Sequence, residues 1–165
     1  MIKTVFGFLK QTLVAAGCKR VYLDEREIEQ QNPLPYAVIL PDEGALTREN
    51  VKIAQQDDPV RCLRTYRDRI FRRDLTVVVT LVHKDVESLG TLSDAFLAGM
   101  QASILDPAGN VITLECHEEK WIRDGSLLKG KAAVEIPVIF HGGVYAERDV
   151  PLVGVLSFEG EISSM

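Results

Sequence analysis

Residues 61–83 read Arg61-Cys-Leu-Arg-Thr-Tyr-Arg-Asp-Arg-Ile-Phe-Arg-Arg-Asp-Leu-Thr-Val-Val-Val-Thr-Leu-Val-His83. The first half, to Asp74, is densely charged. From Leu75 onward apolar and β-branched side chains fill both faces of a period-two pattern, which is typical of a central strand covered on both sides. The run therefore predicts one very long strand, or a tight pair of strands. Its charged half extends beyond the core of a small domain and is suited to contacting another chain.

The N-terminal third predicts one helix and two short strands. Apolar residues at helical spacing indicate an amphipathic helix over 2–16, and Gly17 follows as its C-terminal cap. Weak alternation over 21–27 indicates a strand, and a second short strand, 36–40, is bounded by prolines on both sides. The polar stretch 42–60 is predicted to be a long loop, either mobile or a contact element.

The C-terminal half predicts a second helix and a long hairpin. Asp85 is a suitable N-cap for a helix whose apolar stripe runs to Ile104. A hairpin over 109–140, with Asp124-Gly125 as its turn, returns along a strand in which Ala132, Val134, Ile136, Val138 and Phe140 face inward. Pro137 indicates an edge position or a bulge. We predict an α+β fold: a single twisted, mostly antiparallel sheet with two helices packed on it and a long protruding β-hairpin.

Length and composition predict one domain. The chain has 165 residues, 46% apolar and 26% charged, which suffices for a single core. We expect 1–165 to form this domain, with a compact core over 1–145 that carries the polar loop 42–60 and a C-terminal extension over 146–165. No transmembrane run and no secretory signal is evident, so the chain is expected in the cytoplasm at least while it folds.

The sequence predicts neither catalysis nor a cofactor. Three cysteines without CxxC spacing, each among apolar neighbours, predict buried free thiols: Cys18, Cys62 and Cys116. A metal site from His83, His117 and His141 with Cys116 is rejected, because Cys116 and His117 are neighbours in a strand and face opposite ways. Neither a catalytic motif nor a placed carboxylate pair is found.

The strongest candidate site is a strip of six arginines with an interleaved Tyr66: Arg61, Arg64, Arg67, Arg69, Arg72 and Arg73. Three interpretations are open. The strip is a phosphate-binding surface with stacking aromatics, or a solvated strand pair whose arginines meet Asp68, Asp74 and the acidic 118–119 strand, or a subunit interface. The net charge of −5 disfavours a dedicated nucleic-acid binder, and the interface is preferred.

Two further features belong to the same hypothesis. Glu118 and Glu119 form an acidic strip that could complement the arginines in a head-to-tail contact. Trp121 is the sole tryptophan and lies near the tip of the predicted hairpin. It either covers its own sheet or anchors in a neighbouring subunit.

The order of elements resembles that of the tail terminator (tail-completion, minor tail) proteins of long-tailed bacteriophages and prophages. The resemblance lies in the N-terminal helix 2–16, the Pro-bounded strand Pro35-Tyr-Ala-Val-Ile-Leu-Pro41, the charged-to-apolar strand 69–83, the helix 85–105 and the long hairpin. It spans about 2–145 and is one of layout and size. The loop 42–60 and the tail from Ala146 have no counterpart in it.

The resemblance implies a non-enzymatic protein of the virion tail, assembled in the host cytoplasm. Members form hexameric rings that cap the tail tube, end its polymerisation and offer a head-joining surface. The implied partners are other copies of the chain, the tail tube protein and a head-tail connector protein, with no membrane and with DNA at most passing through the lumen. The alternatives are a head-tail joining or neck protein, and a nucleic-acid-contacting module that uses the strip from Arg61 to Arg73.

Overall fold

The computed structural model describes residues 1–24, 33–122 and 131–152. Within them are two helices, α1 (Ile2–Ala16) and α2 (Val86–Ala98). The strands are β1 (Arg20–Tyr22), β2 (Tyr36–Asp58), β3 (Leu63–His83), β4 (Ser103–Leu105), β5 (Val111–Cys116), β6 (Lys120–Ile122) and β7 (Ala132–Pro151). They form one sheet in the order β1-β2-β3-β7-β5-β4, and β6 pairs with β7. The α+β prediction is confirmed.

The sheet is mixed but mostly antiparallel. β1 runs parallel to β2, whereas β5 and β6 run antiparallel to β7, and β4 antiparallel to β5. Cross-strand contacts fix the direction of β3 against β7: Thr65 bonds Asp149, Asp68 bonds Arg148 and Asp74 bonds His141. Partner numbers rise on one strand as they fall on the other, so these strands are antiparallel.

One hydrophobic core lies between the helices and one face of the sheet. α1 contributes Val5, Leu9 and Leu13, and α2 contributes Leu89, Leu92 and Phe96. The inward set predicted for β7 is confirmed, because every member is buried: Ala132, Val134, Ile136, Val138 and Phe140. On β3, where cover on both faces was predicted, one face is buried and the other is half-buried except at Val82: the buried face carries Leu75, Val77, Val79 and Leu81, and the half-buried positions are Thr76, Val78 and Thr80. A smaller cluster on other positions of the sheet contains Tyr22, Tyr36, Val38, Val82 and Ala133.

Two compact units divide the chain. Unit 1 comprises Met1–Thr47 and Arg72–Gly143 and contains both helices and both apolar clusters. Unit 2 comprises Arg48–Phe71 and Val144–Met165, and its described part consists of the distal stretches of β2, β3 and β7. The organisation as one domain stays a prediction. No helix in the described part of the chain is long and apolar enough to cross a membrane.

The prediction of a polar loop over 42–60 is wrong. β2 continues through Pro41 to Asp58, and Pro59 to Cys62 are the connection to β3. From Leu46 to Asp57 the strand has no buried residue, so it lacks the apolar face on which a strand prediction depends. Pro41 is tolerated because β1 pairs with β2 only as far as Val38, and no other described residue pairs with the next stretch of that outer edge of β2.

Helix α2 ends earlier than predicted. It begins after Asp85, whose carboxylate accepts a 2.7 Å hydrogen bond from the Ser88 backbone N–H, as an N-cap does. It ends at Ala98, with Gly99 as its C-cap, and Ile104 belongs to β4 rather than to the helical stripe. Ile104 pairs with Ile112 of β5, so this residue, which the helical pattern assigned to the helix, lies in the edge strand β4.

The predicted antiparallel return strand is present, and Pro137 lies at a bulge rather than at an edge. Cys116 pairs with Val138 and Lys120 pairs with Glu135, so three residues, 117–119, oppose two on β7. The break in pairing coincides with Pro137, which has no N–H to donate. The predicted Asp124-Gly125 turn lies outside the described residues, as does most of the extension from 146 onward, although Ala146 to Pro151 continue β7.

Candidate subunit interface

The arginines of β3 in unit 2 are paired with carboxylates of the two strands beside them. Both Nε and Nη2 of Arg69 lie 2.7 Å from Glu49 Oε2 on β2, and this is the most sheltered of these pairs. Arg67 Nε lies 3.6 Å from Glu147 Oε1 on β7. Arg148 of β7 completes the pattern, because its Nε donates to Asp68 Oδ2 at 2.9 Å. The strip is therefore an interstrand ionic ladder.

The turn between β2 and β3 holds two more members of the ladder. Arg64 Nη2 donates to Asp57 Oδ2 at 2.7 Å, and Arg61 Nε donates to Asp58 Oδ2 at 2.6 Å. Asp58 also accepts from the backbone N–H groups of Val60 and Arg61, so it organises the turn. The hydrogen bonds from Arg64 and Arg61 hold the pKa of Asp57 and of Asp58 below its ordinary value. Their support for the turn is therefore present at neutral pH and lost on strong acidification.

Tyr66 is enclosed by cations. Lys52 Nζ lies 4.3 Å from its ring centroid, and the Arg148 guanidinium carbon lies 5.0 Å from it. The Arg67 guanidinium carbon lies 5.8 Å from the Tyr145 ring centroid. Such contacts contribute about 0.5–1 kcal/mol each at exposed sites. These cation–π contacts align side chains along the strands but do not form a hydrophobic core.

Unit 2 has no buried residue among those described, 48–71 and 144–152. Its exposed apolar side chains include Val51, Ile53, Val60 and Val150. Both outer edges of this three-stranded sheet are open within the described chain. β1 reaches only Val38 of β2, and β5 and β6 pair with β7 no further than His141. In its described residues this small sheet has neither an apolar core nor paired edges, and an open edge presents unpaired backbone N–H and C=O groups.

The remaining predicted site residues lie in unit 1. Arg72 Nε lies 3.3 Å from Asp74 Oδ1, and no ion pair is found for Arg73 among the described residues. Glu119 is engaged within the chain, since its Oε1 accepts a 2.6 Å hydrogen bond from the buried Ser93 Oγ of α2. Glu118 and Glu119 line a pocket of about 300 Å³ with His117 and Cys116. Within the chain, the arginines of unit 2 pair with β2 and β7 rather than with 118–119. The head-to-tail pairing of the arginines with 118–119 of another copy stays a prediction.

Trp121 lies on β6, opposite Val134 of β7, and is 38% exposed. It lines a pocket of about 430 Å³ together with Val86, Ile122, Lys131, Ala132 and Ala133. The ring covers part of its own sheet and leaves the rest of its surface open. Its role as an anchor in a neighbouring subunit stays a prediction.

The carboxylates that complete the ladder were missed from the sequence: Glu49, Asp57, Asp58 and Glu147. Asp149, which accepts a hydrogen bond from Thr65, was missed as well. Two signals could have found them. Asp58-Pro59 is a turn sequence immediately before the strip, and it predicts a hairpin rather than a loop. Charges of alternating sign in 48–58 and 147–149 then suit strands that flank a basic one.

The cysteines separate into three environments. Cys18 is buried, and burial raises the pKa of its thiol to about 11, whereas Cys62 and Cys116 are exposed. The prediction of three buried thiols is therefore wrong for two of them. Cys62 lies in the connection between β2 and β3, where its positive φ of 52° reflects the turn rather than a core position. Partial burial of the sulfur raises the pKa of Cys116 even though the residue as a whole is exposed.

We expect Cys62 to be the first thiol modified by a maleimide near pH 8, followed by Cys116. Cys18 should stay unmodified in the native state, because a pKa near 11 leaves about a thousandth of the thiol ionised there. Peptide mass mapping over time gives the order. Cys62→Ser should remove the fastest phase and leave the other two unchanged. Native modification of Cys18 at the rate of Cys62 would contradict this assignment.

Likeness to known proteins is found among solved structures. No protein-family model matches the sequence, and no curated protein matches it. A chain in a solved structure, "Virion of native gene transfer agent (GTA) particle", is similar with a TM-score of 0.41 and 13% identity, over 84% of this chain and 92% of that chain. A likeness at this level carries no argument about function. Among the described residues no group of His, Cys, Asp and Glu is arranged to hold a metal ion.

Proposed function

We propose that this protein is a non-enzymatic phage tail assembly protein that forms a ring on the tail tube, ends tube polymerisation and provides a head-joining surface. The observation that carries the proposal is unit 2: a three-stranded sheet held by ion pairs, without a buried residue among those described and with both edges open. The layout resemblance to tail terminators supplies the identity of the assembly. It also supplies the location, the virion tail, reached from the host cytoplasm.

A small sheet needs more than exposed ion pairs to be stable on its own. A sheet of a few strands gains stability from a hydrophobic face or from packing against a helix, and ion pairs at exposed positions add about 0–1 kcal/mol each. The described part of unit 2 has ion pairs and open edges instead of a core. Open edges with exposed apolar residues, Val51 and Ile53 on β2 and Val150 on β7, are suited to another chain. Two unlike edges suit a head-to-tail ring.

The charge balance of unit 2 disfavours the nucleic-acid alternative. Seven basic side chains stand against six acidic ones in 48–71 and 144–152, and five of the six arginines there already contact carboxylates. Binding to DNA gains free energy by releasing counterions from phosphates, which requires cations that are not already neutralised. DNA therefore passes through the ring without specific contact. The partners are other copies of the chain, the tube protein and the head-tail connector.

The test is the solution mass by light scattering after size exclusion, at low and at moderate salt, with and without the tube protein. A mass near six chains, or a ring that forms on tube ends, is expected. Ile53→Lys places a charge on an exposed apolar position of the β2 edge and should lower the assembled fraction at least tenfold. Gln56→Lys, which adds the same charge at an exposed polar position of that strand, is the matched control.

Three outcomes would overturn parts of the proposal. A monomer that neither self-associates nor binds tube ends removes the ring. Binding to the connector but not to the tube identifies a neck protein instead. DNA affinity with a steep, log-linear dependence on salt would favour the nucleic-acid module.

A further inference from the structure

The solvent-facing side of α1 carries positive charge and no negative charge. Its charged residues are Lys3 and Lys10, both exposed, and the helix contains neither Asp nor Glu. Seven residues make about two helical turns, so the two lysines lie on one face, about 10.5 Å apart along the axis. Gly7 lies between them, and Val14, which is 56% exposed, lies one turn beyond Lys10. This face is opposite the buried side of the helix.

The solvent-facing side of α2 has the same arrangement with the opposite sign. Its charged residues are Glu87 and Asp94, both exposed and again seven residues apart, and the helix contains no basic residue. Gly90 lies between them. Within the described part of the chain, neither these carboxylates nor the two lysines of α1 form an ion pair. Both charged faces are therefore unpartnered within unit 1.

Packing within the chain does not explain the two glycines. A Cβ on Gly7 or on Gly90 would meet no atom of another part of the chain within 4 Å. Glycine in the interior of a helix is destabilising relative to alanine, so neither helix gains stability from it. A residue without a side chain lets a second helix approach closely, because the distance between packed helices depends on the side chains at the contact.

We propose that these helix faces form an interface between two copies of the chain, in which α1 of each copy packs on α2 of the other. Charge selects this pairing, because α1 on α1 or α2 on α2 would place like charges together. The two helices contact each other and cover the same face of the sheet. One two-fold axis can therefore form both contacts at once, as an isologous interface requires. This contact goes beyond the proposed ring, because it uses unit 1 rather than the strand edges of unit 2.

The test uses two complementary charge reversals. Lys3→Glu with Lys10→Glu makes both helix faces acidic, and Glu87→Lys with Asp94→Lys makes both basic. Each double variant alone should raise the dissociation constant of the dimer at least about tenfold, because like charges then meet. An equimolar mixture of the two should restore the dimer, since every helix face again meets the opposite charge. A variant that had merely lost its fold would not be rescued by mixing.

Sedimentation equilibrium over a concentration series at low salt measures the dissociation constant. All variants carry Ile53→Lys, so that association through unit 2 is weakened and a failure of the ring is separate from a failure of this contact. Lys19→Glu with Arg20→Glu makes the same change in net charge at exposed positions outside both helices, and should leave the dimer unchanged. A parent chain that stays monomeric, a dimer that both reversals leave intact, or variants that do not associate on mixing would overturn the proposal.

Discussion

Phe140→Ala is expected to lower the free energy of unfolding by about 3–5 kcal/mol, the cost of truncating a fully buried phenylalanine in a packed core. Phe140 lies on β7, pairs with Leu114 of β5 and is 0% exposed within the cluster that both helices cover. Removing the ring leaves a cavity that two strands bonded on either side of β7 cannot close, so little of the loss is recovered by relaxation.

Urea denaturation with the slope checked for constancy measures this cost. Phe140→Leu keeps most of the volume and should cost less than about 1.5 kcal/mol. Val111→Ala, at an exposed position of the neighbouring strand, should cost at most about 0.5 kcal/mol. A loss below 1 kcal/mol for Phe140→Ala, in the range of surface changes, would mean that this face of β7 does not pack against the helices as described.

The elements that the sequence predicted well are those with a buried face. Apolar residues alternate with other residues in 75–81 and 132–140 because one face of each strand packs on the helices. A buried face on one side of a strand requires an apolar residue at every second position. The helix 2–16 was predicted correctly for the same reason, because one of its faces is buried. In these stretches the hydrophobic pattern and the capping and turn residues predicted the same elements. The α+β class was predicted from those elements.

The stretch 42–58 was predicted wrongly because none of its residues is buried. A strand without a buried face carries no alternation, and its polar composition is indistinguishable from that of a loop. The end of α2 was misplaced for a different reason: Ile104 has the right spacing for the helix, but it pairs with Ile112 of β5. Tertiary pairing overrides a local pattern of this length.

The candidate site was half predictable. The arginines are conspicuous in composition, and the sequence identified them as an interaction strip. The partner of each arginine depends on which residue of β2 or β7 lies opposite it, and therefore on the register of the strands. The turn between β2 and β3 sets the β2–β3 register, and that turn was not predicted because 42–60 was taken for a loop. The hydrogen bond between His141 and Asp74, which helps to fix β3 against β7, spans 67 residues of sequence and has no local signal.

Charge reversal at Arg69 separates a role within the chain from a role between chains. Arg69→Glu places a carboxylate against Glu49, in a pair whose side chains are 33% and 21% exposed. It should open the β2–β3 pairing in unit 2 at a cost of about 1–2 kcal/mol, since a hydrogen-bonded charged pair is replaced by two like charges. Amide hydrogen exchange over 48–58 and 63–71 measures the opening of that hairpin separately from unfolding of the core.

The swapped variant Glu49→Arg with Arg69→Glu is the decisive control. If the pair acts within one chain, the swap should restore most of the protection, because the two charges again attract across the strands. Self-association should then recover together with protection, since the ionic ladder shapes the surface that another copy meets. If Arg69 instead contacts a neighbouring subunit, both Arg69→Glu and the swap would lose association while hydrogen exchange over 48–71 stays as in the wild type. That result would mean that Arg69 contacts the neighbouring subunit directly and does not stabilise the β2–β3 pairing within its own chain.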